Sequence, residues 1–363
     1  MVGRRSSEEL RAAREAQVEE LQETLTASVE ALVTGEDWKR ALTFVAQFRK
    51  RSVNNVLLIF AQHEAAFAAG LVPDPYPTYV AGKKQWQSLG REVIDGQKPY
   101  GILAPFKARF ASATPGNLDS WRRLKPRERP RPGESVREKM IGVTPARVFD
   151  VTQTEGAEVP LPPSPKLLEG EAPAGLREGL IGQITAAGYE FRPVPHEREI
   201  RGANGLTHRN EKWVAVRTNM DDAAQVKTLA HELAHIRLHD PEDEDATQHR
   251  GIAEVEAESV ALMIGAAHGM DTAAYTIPYV SGWAATVDGK DPVTVVKHTA
   301  ERVRQIAVSI LDQLDTVQLG TGEPPARAAS KQPARTGRTS TARSRPSRTA
   351  EPTRKPVEAR GLS

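Results

Sequence analysis

Two histidines and a glutamate are the residues whose spacing most directly indicates chemistry. His231, Glu232 and His235 form an HELAH motif within the largely apolar segment TLAHELAHIRLHD. Four residues slightly exceed one helical turn, so both imidazoles project from one face of a helix and can bind one metal ion. Glu232 lies beside the first histidine, where its carboxylate can take a proton from water at the metal. The motif predicts a zinc-dependent hydrolase, and a solvated charged face on a surface helix is the alternative.

The third ligand is expected from a second helix, which contains the acidic segment AEVEAESVA. Glu254 and Glu258 lie four residues apart and share a face, whereas Glu256 points elsewhere. We expect Glu254 to bind the metal, Glu258 to accept a hydrogen bond from a ligating histidine, and Glu256 to face solvent. A solvated acidic stripe is the alternative. The chain contains no cysteine, so every metal ligand must be nitrogen or oxygen.

Other residues near the motif have less defined roles. His239 follows His235 by four residues and can either extend the metal-binding face or pack at the helix end, where a cation suits the helix dipole; packing is favoured. One of His268, Tyr275 and Tyr279 can stabilise an oxyanion, but the sequence does not distinguish between them, and ordinary packing is the simpler interpretation.

The N-terminal half contains helix patterns followed by strand patterns. Helices are predicted from a capping box at Ser6 and Glu9 onward, at about 36–51, over VNNVLLIFAQHEAAFAAG, and around Lys83–Leu89. The segment REVIDGQKPYGILAPF predicts a β-hairpin with its turn at Asp95–Gly96. Residues 111–140 are polar, basic and proline-bearing, which indicates an insertion or a long loop.

Composition divides the chain into an expected α+β arrangement of two domains and a tail. We predict an N-terminal helical and β-hairpin domain over 1–158, a proline-rich linker over 159–175, a zincin-like domain over 176–318 and a disordered basic tail over 319–363. Residues 324–363 hold ten Lys or Arg and two Glu, a local charge of +8 within a total of +2. No stretch approaches 18 apolar residues and no signal peptide is evident, so we expect a cytoplasmic protein without membrane contact.

The metal motif resembles a known family. HELAHIRLH followed by EVEAESVALMI is similar to the ImmA/IrrE-type zinc metallopeptidases, which use HExxH and a downstream glutamate. The resemblance implies a gluzincin-like fold, with Zn²⁺ on His231, His235 and Glu254 and with Glu232 as the catalytic residue.

The N-terminal half resembles the single-stranded-DNA-binding domain of ArdC-type antirestriction proteins. The similarity lies in FRKRSVNNVLLIFAQH, YVAGKKQWQSLGREVIDGQKPYGILAPF and VFDVTQTEG; here Gln97 stands where glutamate is familiar. Basic side chains can follow phosphates and aromatic rings such as Tyr79 or Tyr100 can stack on bases, although buried aromatics and solvated lysines are the alternative. The candidate DNA-binding residues are Arg49, Lys50, Arg51, Asn54, Asn55, Lys83, Lys84, Trp86, Arg91 and Lys98.

Three functions are consistent with these patterns. The first is an antirestriction protein of a mobile element that binds single-stranded DNA and carries a zinc peptidase acting on an unknown protein or peptide. The second is a regulatory metalloprotease that cleaves a repressor. The third is a non-catalytic DNA-binding protein with a structural zinc ion. Replacing Glu232 and His231 separately distinguishes catalysis from a structural metal.

Overall fold

The computed structural model describes residues 7–160, 170–239, 250–272, 275, 277, 280–285 and 289–325. It is a mixed helix and sheet protein, which confirms the expected α+β class. Residues up to Pro325 form one compact unit. None of the described helices is both long enough and apolar enough to cross a lipid bilayer.

The first half of the chain, as the structure describes it, contains four helices and a four-stranded antiparallel sheet. The helices are α1 (Ser7–Glu30), α2 (Gly35–Gln47), α3 (Val53–Ala68) and the short α4 (Lys83–Ser88). The sheet has the order β1-β5-β3-β4, with β1 at Val80–Ala81, β3 at Tyr100–Ser112, β4 at Arg122–Arg123 and β5 at Ser135–Asp150. A separate two-stranded sheet joins β2 (Arg91–Val93) to β6 (Thr154–Gly156).

The hairpin predicted around Asp95–Gly96 is wrong in its pairing. A turn is present, with Gly96 at a φ of 84° that glycine adopts without strain. The strands on either side of it do not pair with each other: β2 pairs with β6, and β3 pairs with β5 over its whole length. The segment expected to be a long loop, 111–140, supplies the last two residues of β3, the first six of β5 and the connection that contains β4.

The described residues of the second half of the chain contain three strands and five helices, one of which carries the metal motif. These are α5 (Leu176–Ala186), β7 (Glu190–Val194), β8 (Gly205–His208), β9 (Trp213–Arg217), α6 (Asp222–Leu238), α7 (Arg250–Ala267), α8 (Val280–Ala284) and α9 (Pro292–Leu311). The sheet has the order β7-β9-β8, with β7 parallel and β8 antiparallel to β9. Strand β8 is therefore an edge strand.

One hydrophobic core joins the two halves. Apolar residues of α1–α3, β3 and β5 lie in the same cluster as those of α5–α7 and α9. Trp38 of α2 is fully buried, and its indole Nε1 donates a hydrogen bond to Ser259 Oγ of α7 at 2.9 Å. The boundary at 159–175 stays a prediction, since residues 161–169 lie outside the described part.

The first residues of the predicted tail, 319–325, pack against the core. Leu319 donates its backbone N–H to Ala267 O, and Gly322 O accepts from Val80 N, so residues 319–325 are held against both halves of the core. The remainder of the predicted tail, 326–363, lies outside the described residues.

Candidate metal centre

Helix α6, which carries the HELAH motif, has one buried side and one side open to a cleft. Asp221 caps the helix, because its carboxylate accepts a hydrogen bond from Ala224 N at 2.7 Å. Leu229 and Leu233 are fully buried on the inner side. His231 and His235 are partly exposed on the opposite side, which faces α7 and β8.

The structure brings His231, His235 and Glu254 to a common point. The two Nε2 atoms lie 3.0 Å apart, and Glu254 places its carboxylate oxygens 3.5 Å from His231 Nε2 and 3.6 Å from His235 Nε2. Ligand atoms about 2.0–2.1 Å from a tetrahedral zinc ion are separated by roughly 3.3–3.4 Å. The three donors therefore have the spacing and chemical type that a divalent transition metal requires.

Polar contacts behind the histidines indicate which ring nitrogen faces the common point. His231 Nδ1 lies 3.3 Å from Glu258 Oε2, and His235 Nδ1 lies 3.2 Å from His239 Nδ1. His239 Nε2 in turn lies 3.0 Å from Glu256 Oε2. With protons on His231 Nδ1, His235 Nδ1 and His239 Nε2, each carboxylate accepts a hydrogen bond and both Nε2 lone pairs are left for a metal.

The expectation that Glu256 faces solvent is wrong. Glu256 is 2% exposed, and besides His239 it has Arg302 of α9 within 3.4 Å of its Oε1. Helix α7 has no open face at this position, because α2, α6 and α9 all pack against it. Glu254, the candidate ligand, is the exposed carboxylate of the three.

The charge of the cluster favours a bound cation. Burial alone would lower the pKa of His231, but hydrogen bonds to Glu254 and Glu258 raise it to about 9. The same contacts with His231 and His235 hold the pKa of Glu254 well below its usual value. In Glu258, burial raises the pKa but the hydrogen bonds from His231 and Lys227 outweigh it. Negative charge concentrated around two imidazoles is neutralised by a proton or by a metal ion.

Thr207 is a residue of the site that sequence reasoning missed. Its hydroxyl donates a hydrogen bond to Glu232 Oε2 at 2.6 Å. The side chain of Glu232 is buried. Gly205 on the same strand permits this approach, since a Cβ there would lie 2.7 Å from Glu232 Oε1. No motif marks either residue, because the contact depends on how β8 crosses α6. Thr207 fixes the orientation of Glu232 beside the two histidines.

A cleft of about 780 Å³ opens over these residues. Its floor is α6 and α7, and its wall is β8 with the preceding residues Ala203 and Asn204. Among the described strands, β8 pairs with β9 alone, so its second edge carries backbone groups that no described strand satisfies. The cleft thus combines a metal-type donor set with an open strand edge.

Of the residues considered for oxyanion stabilisation, Tyr275 and His268 are buried and Tyr279 lies outside the described residues. His268 is bonded to Ile264 O and Thr316 Oγ1. Tyr275 packs against Gly265 and under Lys227. Neither residue lines the cleft.

Several candidate DNA-binding residues have structural roles instead. Trp86 is fully buried and donates its indole N–H to Phe149 O at 3.0 Å, so it cannot stack on a base. Tyr79 and Tyr100 are buried as well. The buried Arg49 is bonded to Leu319 O and Gly320 O, which anchors the chain after α9.

The remaining candidates divide by exposure. Arg51 donates to Val80 O, Arg91 to Thr154 O, and Asn55 exchanges two hydrogen bonds with the backbone of Leu103. These three side chains are half-buried and hold strands in place. The exposed candidates are Lys50, Asn54, Lys83, Lys84 and Lys98.

Comparison with known families assigns both halves of the chain. Residues 15–151 match the N-terminal domain of anti-restriction factor ArdC. Residues 196–280 match the IrrE N-terminal-like domain of the M78 peptidase family. The chain therefore contains a metallopeptidase-like domain. It joins an ArdC-type N-terminal domain to an M78 peptidase-like domain, which confirms the two resemblances found in its sequence.

Individual relatives are distant. An uncharacterized protein of Bacillus anthracis is 23% identical over 297 residues, covering 77% of this chain and 48% of the relative, so the chain spans about half of that protein's length. The metal-free crystal structure of antirestriction ArdC from plasmid R388 aligns over 73% of this chain and 86% of its own, with 16% identity and a TM-score of 0.42. The Mn(II)-bound structure aligns over 75% and 97%, with 18% identity and a TM-score of 0.39.

Proposed function

We propose that the chain is a zinc-dependent metallopeptidase acting in antirestriction, with a single-stranded-DNA-binding N-terminal half. The observation that carries the proposal is the convergence of His231, His235 and Glu254 beside the buried Glu232 in an open cleft. Two imidazoles and one carboxylate are the donors of a catalytic zinc site, which leaves a coordination position open.

The residues of the site have separate tasks in peptide hydrolysis. A bound Zn²⁺ supplies a Lewis acid that polarises a peptide carbonyl and acidifies water. Glu232 accepts the proton of the attacking water and returns it to the leaving amine. Thr207 holds the Glu232 carboxylate in place, while Glu258 and His239 orient the two histidines. The edge of β8 can pair with an extended peptide, which would lay the scissile bond across the cleft.

Metal content and DNA binding test the two halves of the proposal separately. We expect one Zn²⁺ per chain by elemental mass spectrometry, with Mn²⁺ tested as the competing ion. We expect a fluorescent 20-nucleotide single strand to bind, and binding to persist in a chain ending at Pro325, where the compact unit ends. Absence of metal from protein prepared with either ion would contradict the enzymatic half. Loss of all single-strand binding on removal of 326–363 would contradict the DNA-binding half.

Thr207→Val is expected to lower peptidase activity about 10- to 100-fold without loss of metal, because a hydrogen bond to a charged group contributes about 1.5–3 kcal/mol. Activity is measured as new protein N-termini that appear, by mass spectrometry, when a host-cell lysate is incubated with the purified chain. Thr218→Val is the matched control, because Thr218 is exposed, donates its hydroxyl to Val194 O and does not line the cleft. Equal activity of the two variants would show that Thr207 does not position the carboxylate.

A further inference from the structure

The distal half of the β3–β5 hairpin is a separate feature of the surface. We define the basic ribbon as residues 106–143, which comprise the outer parts of β3 and β5 and the tip between them. Every residue from 135 to 143 is exposed, so no described part of the chain covers this strand. The pairing continues from Lys107↔Met140 to Ser112↔Ser135, and a β-bulge at Phe106/Lys107 lies at the base of the ribbon.

The tip of the ribbon has a defined fold. Two turns repeat the same arrangement: the side chain of Glu128 accepts from Lys125 N, and that of Glu134 accepts from Arg131 N, each at 2.7 Å. Arg122 of β4 binds both carboxylates, with distances of 2.6 Å to Glu128 and 2.8 Å to Glu134. These contacts hold the pKa of Glu134 at about 2. Arg122 therefore links the two turns through their carboxylates.

Two acidic side chains of the ribbon are paired within the tip, whereas most of its basic side chains are not paired. The basic ribbon contains ten Lys or Arg and four Asp or Glu, a net charge of +6. Arg122 satisfies two of the four acids, and among the described residues no other cation of the ribbon forms an ion pair. Arg137 stacks on Trp121 at 3.9 Å. The cations with no ion pair or ring contact in the described chain are Lys107, Arg109, Arg123, Lys125, Arg127, Arg129, Arg131 and Lys139.

Exposed apolar side chains lie among these charges. Met140 is 61% exposed, and Phe106, Val136, Ile141 and Val143 are exposed as well. Met140 is paired with Lys107, and Val136 with Ala111, so they share one face of the ribbon. Exposed apolar side chains surrounded by cations without an ion pair can bind a polyanion that also has apolar surface.

We propose that the basic ribbon is an arm that binds duplex DNA by entering a groove. Two β-strands lie about 4.7–4.9 Å apart, and the major groove, about 12 Å wide, admits a two-stranded ribbon. The cations then contact phosphates on both sides of the groove, and Met140 and Ile141 contact sugars and base edges. The arm depends neither on the metal centre nor on single-strand binding.

Neutralisation of the tip tests the arm. In the full chain, Lys125, Arg129 and Arg131 are replaced by Gln; the control replaces Arg14, Arg198 and Arg237, which are exposed elsewhere. Affinity for a labelled 20-base-pair duplex is measured against salt. We expect the tip variant to bind duplex on the order of 10- to 100-fold more weakly, with the salt slope reduced by about 2–3. The control is expected to match the wild type on both measures.

A single strand of the same length separates this inference from the proposed function. We expect the tip variant to keep single-strand affinity within about threefold of the wild type. A duplex affinity equal to that of the control variant overturns the proposal. A loss confined to the single strand also overturns it, because the ribbon would then belong to the single-strand site.

A second variant tests the apolar contacts. Met140→Ser with Ile141→Ser keeps every charge, so we expect weaker duplex binding with an unchanged salt slope. The oligomeric state is measured in parallel by sedimentation. A dimer of the wild type that dissociates in this variant, with duplex affinity unchanged, would assign the apolar face to self-association and would contradict a DNA contact there.

Discussion

Glu232→Gln is expected to lower peptidase activity by at least about 100-fold while the chain stays folded and retains its metal. The amide has the size of the carboxylate and can still accept the hydrogen bond from Thr207. It cannot accept a proton from water, so the general base is lost. His231→Ala removes one of the converging donors, and we expect this variant to lose both activity and metal.

The two variants together distinguish catalysis from a structural metal. Activity is read as new N-termini in a host-cell lysate and as protection of unmodified DNA that enters a restricting host. Glu178→Gln, an exposed acid on α5, is the control for loss of one negative charge. If Glu232→Gln protects DNA as well as the wild type while His231→Ala does not, the metal is structural and the enzymatic proposal fails.

The part of the site that could be predicted is the part set by local helix geometry. His231 and His235 share a face because four residues span one turn, and the same spacing places Glu254 and Glu258 together on α7. Each pair is placed by the spacing within its own helix, so the distance between the two segments in the sequence does not affect this prediction. Periodicity was sufficient to place each pair on one face of its helix, and the structure shows that the two faces meet.

The parts that sequence could not provide depend on partners distant in the chain. Glu256 is buried because helices from both halves enclose α7, and its partner Arg302 comes from α9. The indole of Trp86 is satisfied by Phe149 O, 63 residues further on. The turn at Asp95–Gly96 was recognisable, but the strands it joins pair with β5 and β6 instead. Local patterns identified elements and turns, whereas long-range packing determined which side chains were buried.

Glu256→Gln is expected to weaken metal binding about 10- to 100-fold although Glu256 is not a ligand, because contacts behind a ligating histidine commonly contribute this much. The variant keeps the volume of the side chain but removes the charge that accepts the proton of His239 Nε2. His239 can then adopt the other tautomer, with its proton on Nδ1. His239 Nδ1 lies 3.2 Å from His235 Nδ1, so two N–H groups would then face each other and repel. We expect His235 to rotate or change tautomer, which moves its Nε2 lone pair away from the metal.

Metal affinity and stability must be measured together, since Glu256 is also part of the core. Removing one partner of a buried ion pair costs about 3–5 kcal/mol when the other stays charged, but here Arg302 is partly exposed and the loss should be smaller. Gln183→Ala is the control, because it removes a buried hydrogen bond to Ile310 O on α9, away from the metal ligands. We expect both variants to unfold at lower denaturant concentration and Glu256→Gln alone to bind Zn²⁺ more weakly. If the two variants bind Zn²⁺ equally well, Glu256 supports the fold but does not position His235.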